Sequence, residues 1–167
     1  MMKLSRDEEK CIRLDRMRYT KNSLSSGLSL LAIVFNVFYF VSIYESDVGS
    51  WYYKIIIGAS IVYNLVFMLM VFLASEGVKN YRIGYAYMLI PVGIAQIGRI
   101  FILPMQAYNA AVTISKVEYP VMETRQFIFV VLWLALSAVC CLVAGAVGIH
   151  RSRTLSAYNA SLEQTAA

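Results

Sequence analysis

A guanidinium inside an apolar run must be hydrogen-bonded, paired or carried to a polar surface, and Arg99 is such a group, interrupting residues 83–105, which are otherwise uncharged. Gln96 stands three positions earlier, on the same face of any helix formed there. Asn36 and Asn64, with Ser60 one turn before Asn64, fall at a similar depth in two other apolar runs. Brought together, Asn36, Ser60, Asn64, Gln96 and Arg99 would form a ligand-binding cluster, a small polar cavity in which Arg99 is the cation for a solute or a lipid headgroup. The same residues admit a second reading. Arg99 lies five residues before Pro104, roughly 7 Å from the end of the run at helical rise, so its side chain can snorkel to headgroups or to Glu45. The amides would then bond between helices, at about 0.6 kcal/mol each.

Little else has the spacing that chemistry requires. His150 has no Cys or acidic partner near it in sequence, so no metal site is expected. Cys11 lies in a polar leader and Cys140 and Cys141 are neighbours in an apolar run, which gives neither a disulfide framework nor a redox motif. A Gly-rich phosphate loop, an HExxH pair and a Ser/His/Asp set are all missing, so no catalytic residue and no cofactor are predicted and an enzyme is the least favoured class. No acidic residue interrupts an apolar run, which disfavours a carboxylate-driven proton exchanger.

The elements that must position the Arg99 group follow from where charge is absent. Hydrophobic residues make up 59% of the chain and charged residues only 15%, too thin a polar coat for a soluble domain. Residues 22–44, 55–75 and 126–149 carry no charge, and with 83–105 each stretch is long enough to cross a hydrocarbon core of about 30 Å. The expected fold is therefore all-α, an integral membrane four-helix bundle with spans at about 23–44, 55–75, 83–105 and 126–149. A cytoplasmic basic leader, 1–22, precedes it and a cytoplasmic tail, 150–167, follows. Pro91 is expected to kink the third span. The first block is too long for a signal peptide's apolar region and is followed by no small-residue cleavage site, so it reads as a retained helix.

Cationic residues orient the bundle. Lys3, Arg6, Lys10, Arg13, Arg16, Arg18 and Lys21 in the leader fall on one side, with Lys79 and Arg82 in the second loop and Arg151 and Arg153 in the tail. Lys54, Lys116 and Arg125 fall on the other. The bias places both termini in the cytoplasm of a cell that holds the chain in its plasma membrane. It also assigns the net charge of +5 to an anionic lipid surface, and no nucleic-acid partner is expected. Tyr44, Trp51, Tyr52 and Tyr53 at one edge, and Tyr81, Tyr85 and Tyr87 at the other, suit headgroup depth.

Three further segments stand out. The leader, with Glu9 and Arg13 spaced for pairing and Leu4, Cys11, Leu14 and Met17 on a loose stripe, is either an amphipathic surface helix or a solvated tail. The third loop, with Tyr108, Asn109, Val112, Ile114, Val117, Tyr119 and Pro120, is too apolar for a plain linker and is expected to pack on the outer face of the bundle, capping a cavity, offering a docking surface or serving only as a connection. Ser137, Cys141 and Gly145, with Ala144 and Gly148 alongside, make a helix-packing seam of small residues that faces the bundle, another membrane protein or a second copy of the chain.

Residues 39–44 (YFVSIY) with Asp47, then Gly58, Ala59, Ser60, Tyr63 and Asn64, then residues 75–81 (SEGVKNY), resemble small uncharacterised four-span bacterial membrane proteins, some of which are labelled as β-methylgalactoside-transporter-associated. The resemblance covers the first half of the chain. It implies a bacterial cell membrane and association with a carbohydrate transporter, and it assigns no site residue. Two functions are therefore expected from the sequence. One is a non-enzymatic accessory or assembly subunit of a larger membrane complex, acting through the seam; the other is a small oligomeric transporter or channel, acting through the Arg99 cluster.

Overall fold

Apolar side chains without a charge between them cannot leave backbone polar groups bare in lipid, and the helix satisfies those groups within the segment. A computed structural model describes residues 5–43, 51–114 and 117–166, apart from the side chains of residues 7, 51–54, 112–120 and 165–166. Its elements are α1 (Arg6–Tyr19), α2 (Ser23–Ile43), α3 (Trp51–Lys79), α4 (Ile83–Ile102), α5 (Pro104–Asn109), β1 (Ala111–Ile114), β2 (Val117–Pro120) and α6 (Thr124–Ala166). Among the described residues, four helices are long and apolar enough to cross a membrane: Ser23–Ile43, Ile55–Lys79, Ile83–Asn109 and Thr124–Gln164. Tyr44, Glu45 and Asp47 lie outside the described residues, as do Lys3, Leu4, Lys116 and the side chains of Trp51, Tyr52, Tyr53 and Lys54.

The four long helices form a closed ring in which α6 packs along both α2 and α4 and α3 joins those two on the opposite side. All four contacts are antiparallel. Asn22 N–H donates to the Lys79 carbonyl, Ser137 Oγ to the Ala32 carbonyl and Gln126 to the Ser42 carbonyl, so low numbers on α2 meet high numbers on α3 and α6. Both termini consequently share one end of the bundle, and the α2–α3 and α4–α6 connections share the other.

The surface is inverted relative to a soluble bundle. Val34, Val37 and Phe38 on α2, Val62, Leu65, Leu69 and Phe72 on α3, Ile94 and Phe101 on α4, and Leu132 and Val139 on α6 are exposed. Inside lie Ser25, Ser26, Ser29, Asn36, Ser60, Asn64, Ser75, Gln96, Arg99 and Ser137. An apolar outside of this extent around a polar inside requires hydrocarbon as its solvent. The chain is a multi-pass membrane protein.

Local structure adds detail that the apolar runs alone do not carry. α4 runs through Pro91, which faces outward, and breaks at Leu103, where Pro104 opens α5; a proline at the first turn costs no hydrogen bond. The third loop holds a short two-stranded antiparallel hairpin, Ala111 opposite Pro120 and Ile114 opposite Val117, within an otherwise all-helical chain. The loop is anchored by Met122, buried, and by Tyr108 stacked on Phe127 at 4.4 Å. The tail is helical and continuous with the last span: α6 runs on through residues 150–166, reaching about 64 Å at helical rise, roughly twice a bilayer core.

The leader forms α1, and its start is built from sequence alone. Ser5 Oγ accepts from Glu8 N–H at 3.3 Å while Glu8 Oε2 accepts from Ser5 N–H at 2.8 Å, a reciprocal capping box.

Candidate functional site

Buried apolar residues fall into two clusters with a polar layer between them. One, toward the termini, includes Ala32, Phe67, Val71, Leu89, Val92, Cys141 and Ala144; the other, toward the hairpin, includes Tyr39, Ile43, Leu103, Met122, Val130 and Leu134. On α2 the layer is Asn36, on α3 Ser60 and Asn64, on α4 Gln96 and Arg99, and on α6 Ser137, so every spanning helix contributes.

The helical period explains the convergence. Gln96 and Arg99 are one turn apart on the buried stripe of α4, which includes Leu89, Val92 and Gly93, and Ser60 and Asn64 are likewise one turn apart on α3. Turning these stripes inward carries the polar groups with them.

Arg99 retains only 6% of its exposure, and its guanidinium bonds inward. Nη1 donates to Asn64 Oδ1 at 2.7 Å and, more weakly, to Asn36 Oδ1 at 3.5 Å; Nη2 donates to Ser60 Oγ at 2.7 Å. Its Cζ lies 4.4 Å from the Tyr39 ring centroid and 4.6 Å from that of Tyr63, within range of the attraction between a cation and an aromatic face. The side chain therefore does not snorkel to the surface. The snorkelling half of the second reading is corrected, because two neighbouring helices supply acceptors and rings to the guanidinium; its other half, amides bonding between helices, is what Gln96 and Asn36 do. Glu45, the other partner considered, is outside the described residues.

Gln96 extends the network across the centre of the bundle. Its Nε2 donates to Asn36 Oδ1 at 3.0 Å and lies 3.5 Å from Ser137 Oγ, which itself donates to the Ala32 carbonyl at 2.9 Å. The accounting leaves a remainder. Asn36, Asn64 and Gln96 are 0% exposed, yet Asn36 Nδ2, Asn64 Nδ2 and Gln96 Oε1 have no hydrogen-bond partner. Two donors and one acceptor, together with the Tyr39 hydroxyl, are each costly to leave bare in a low-dielectric interior and lie in the same buried layer as a held cation.

All five predicted residues meet, and three additional ones join them. Tyr39 and Tyr63 were not singled out as site residues, although the spacing Asn36/Tyr39 and Ser60/Tyr63/Asn64 sets each ring on its neighbour's face. Ser137 was assigned to packing alone. The seam itself, Ser137, Cys141, Ala144, Gly145 and Gly148, is buried inside the bundle. A Cβ on Gly145 would lie 2.7 Å from Ile90 Cδ1 and 3.0 Å from the Ala86 carbonyl oxygen, and one on Gly148 would lie 2.9 Å from Ala86 Cβ. Ser25 Oγ also donates to the Ala144 carbonyl. The seam therefore brings α6 close to α2 and α4, and it is not a docking face for another protein.

Among the described residues, no group of His, Cys, Asp and Glu is arranged to hold a metal ion. Comparison of the chain with protein-family models, with curated proteins and with solved structures finds no match.

Proposed function

We propose that this chain is a non-enzymatic membrane protein that handles a polar solute at the Arg99 layer, as a subunit of a small oligomeric transporter or channel in the cell membrane, with both termini cytoplasmic. The observation that carries the reading is the set of unpartnered atoms, Asn36 Nδ2, Asn64 Nδ2 and Gln96 Oε1, on fully buried side chains around a buried guanidinium. Two amide donors and a cation suit an oxygen acceptor such as a hydroxyl, carboxylate or phosphate, and Gln96 Oε1 suits a hydroxyl donor. A sugar presents both, in keeping with the carbohydrate-transporter resemblance. One four-helix ring has little room for a pathway, so further copies or a partner would complete it.

Uptake of radiolabelled methyl-β-galactoside by proteoliposomes tests this. The wild-type protein should accumulate it, and Arg99→Leu and Gln96→Leu should each lose at least tenfold. Equal uptake by the Arg99→Leu protein removes the basis of the reading.

A second reading, an accessory or assembly subunit of a larger membrane complex, is favoured by a different observation. Residues 150–166 extend α6 well past the span as a helical arm with Leu155, Tyr158 and Leu162 at i, i+3 and i+7, the spacing of one face. Purification from native membrane in mild detergent should then yield a reproducible companion that is lost on truncation after Arg153. Recovery of a lone monomer would count against it.

A further inference from the structure

A second feature lies at the other end of the molecule, where the termini meet. A groove of about 430 Å³ opens between α1, the α3–α4 turn and α6. Lys10 and Arg13 line it from α1, and His150, Arg151 and Thr154 line it from α6. Among the described residues, no carboxylate contributes to the lining. On α1, Asp15 faces Arg18 at 3.8 Å and Glu8 closes the capping box; Lys10 already has a partner of its own, and an ammonium carries three donors.

The walls are fixed by local structure. Arg151 Nη1 donates to Asn22 Oδ1 at 2.9 Å, and Asn22, fully buried, is tied through its N–H to the Lys79 carbonyl, also at 2.9 Å. One guanidinium donor is thus spent on orientation, and a guanidinium has five. Tyr81 closes the groove from the α3–α4 turn. Arg82 N–H reaches the Gly77 carbonyl and Tyr81 N–H the Val78 carbonyl, the paired bonds of a helix C-terminal cap that puts its penultimate residue in the left-handed region. Tyr81 occupies that position with φ 56°, where glycine or asparagine is usual.

Depth identifies the occupant. His150 and Arg151 follow directly on the last residue of the charge-free stretch 126–149, so the groove opens where hydrocarbon gives way to headgroups. Leu14 and Met17 add an apolar margin on the α1 side, suited to the glycerol end of a lipid. We infer that the groove is a specific site for the phosphate of an anionic phospholipid headgroup, held by Lys10, Arg13 and Arg151 and pinning α1 to the bundle. The Arg99 layer, far along the bundle, takes no part.

Lipid retention tests it. The full-length protein, extracted from bilayers containing phosphatidylglycerol and phosphatidylcholine, is examined by native mass spectrometry. One phosphatidylglycerol per chain should survive delipidation, and the Lys10→Gln/Arg13→Gln variant should retain it about thirtyfold less, the loss of two cations at a headgroup. The control, Arg6→Gln/Arg16→Gln, removes equal charge from α1 outside the groove and should retain the lipid. Equal loss in both variants would mean diffuse attraction and overturn the site. So would displacement of the lipid by millimolar inorganic phosphate in the wild-type protein, which would make the groove a site for soluble anions. Circular dichroism of both variants confirms that α1 stays helical.

Discussion

Removing an acceptor from a buried cation should be worse than removing the cation, and the Arg99–Asn64 pair makes the contrast measurable. In Asn64→Leu the 2.7 Å bond to Nη1 is lost while the guanidinium stays at 6% exposure. A hydrogen bond to a charged group contributes about 1.5–3 kcal/mol, so a loss of roughly 2 kcal/mol is expected. In Arg99→Met the bonds to Asn64 and Ser60 and the contacts with the Tyr39 and Tyr63 rings all go, but so does the desolvation of the charge. Relief of the buried ion's desolvation offsets the lost bonds and ring contacts and the Asn64 and Ser60 acceptors left bare, so a net change within about 1 kcal/mol is expected. The double variant should resemble Arg99→Met, giving a coupling of about 2 kcal/mol. Reversible unfolding in mixed micelles or by steric trapping reads all four corners of the cycle. Additive single changes, or an Arg99→Met loss larger than that of Asn64→Leu, would refute the reasoning. The cation would then be a structural keystone, and the case that it is retained for a ligand would weaken.

Gly145→Ala places a Cβ 2.7 Å from Ile90 Cδ1 and 3.0 Å from the Ala86 carbonyl oxygen, so a loss of about 1–3 kcal/mol should appear as a lower thermal midpoint; Gly98→Ala, with nothing within 4 Å, should leave the midpoint unchanged. Cys11 is exposed while Cys140 and Cys141 are buried. With the proposed orientation, a membrane-impermeant maleimide should label Cys11 only after cells are permeabilised, and labelling of intact cells would reverse the topology. The Ser5 backbone N–H, and after it the Ser5 hydroxyl, hold the Glu8 carboxyl below its ordinary value of 4.5. A lowered folded-state pKa means the capping contribution is fully present above that value and is lost as pH falls through the folded pKa. Hydrogen exchange in the first turn of α1, corrected for intrinsic rate, should therefore show less protection at pH 3 than at pH 7, and Glu8→Gln, which cannot titrate, should remove the difference.

Four spans could be read directly from the chain, because crossing hydrocarbon is a requirement on length and charge that each segment meets by itself. The capping box of α1 is legible for the same reason, both partners lying three residues apart. The polar layer was only half legible. Depth along a helix can be counted, so Asn36, Asn64, Gln96 and Arg99 could be set near one level. The direction each faces is fixed by rotation about the helix axis, and that depends on every other face in the bundle. Only the packed structure turns Arg99 toward Asn64, Ser60 and two tyrosine rings instead of outward, makes the Ser137–Gly148 seam internal, and joins α1 to α6 around a basic groove. Each of these outcomes compares long-range contacts between helices, and no local pattern in the sequence contains that comparison.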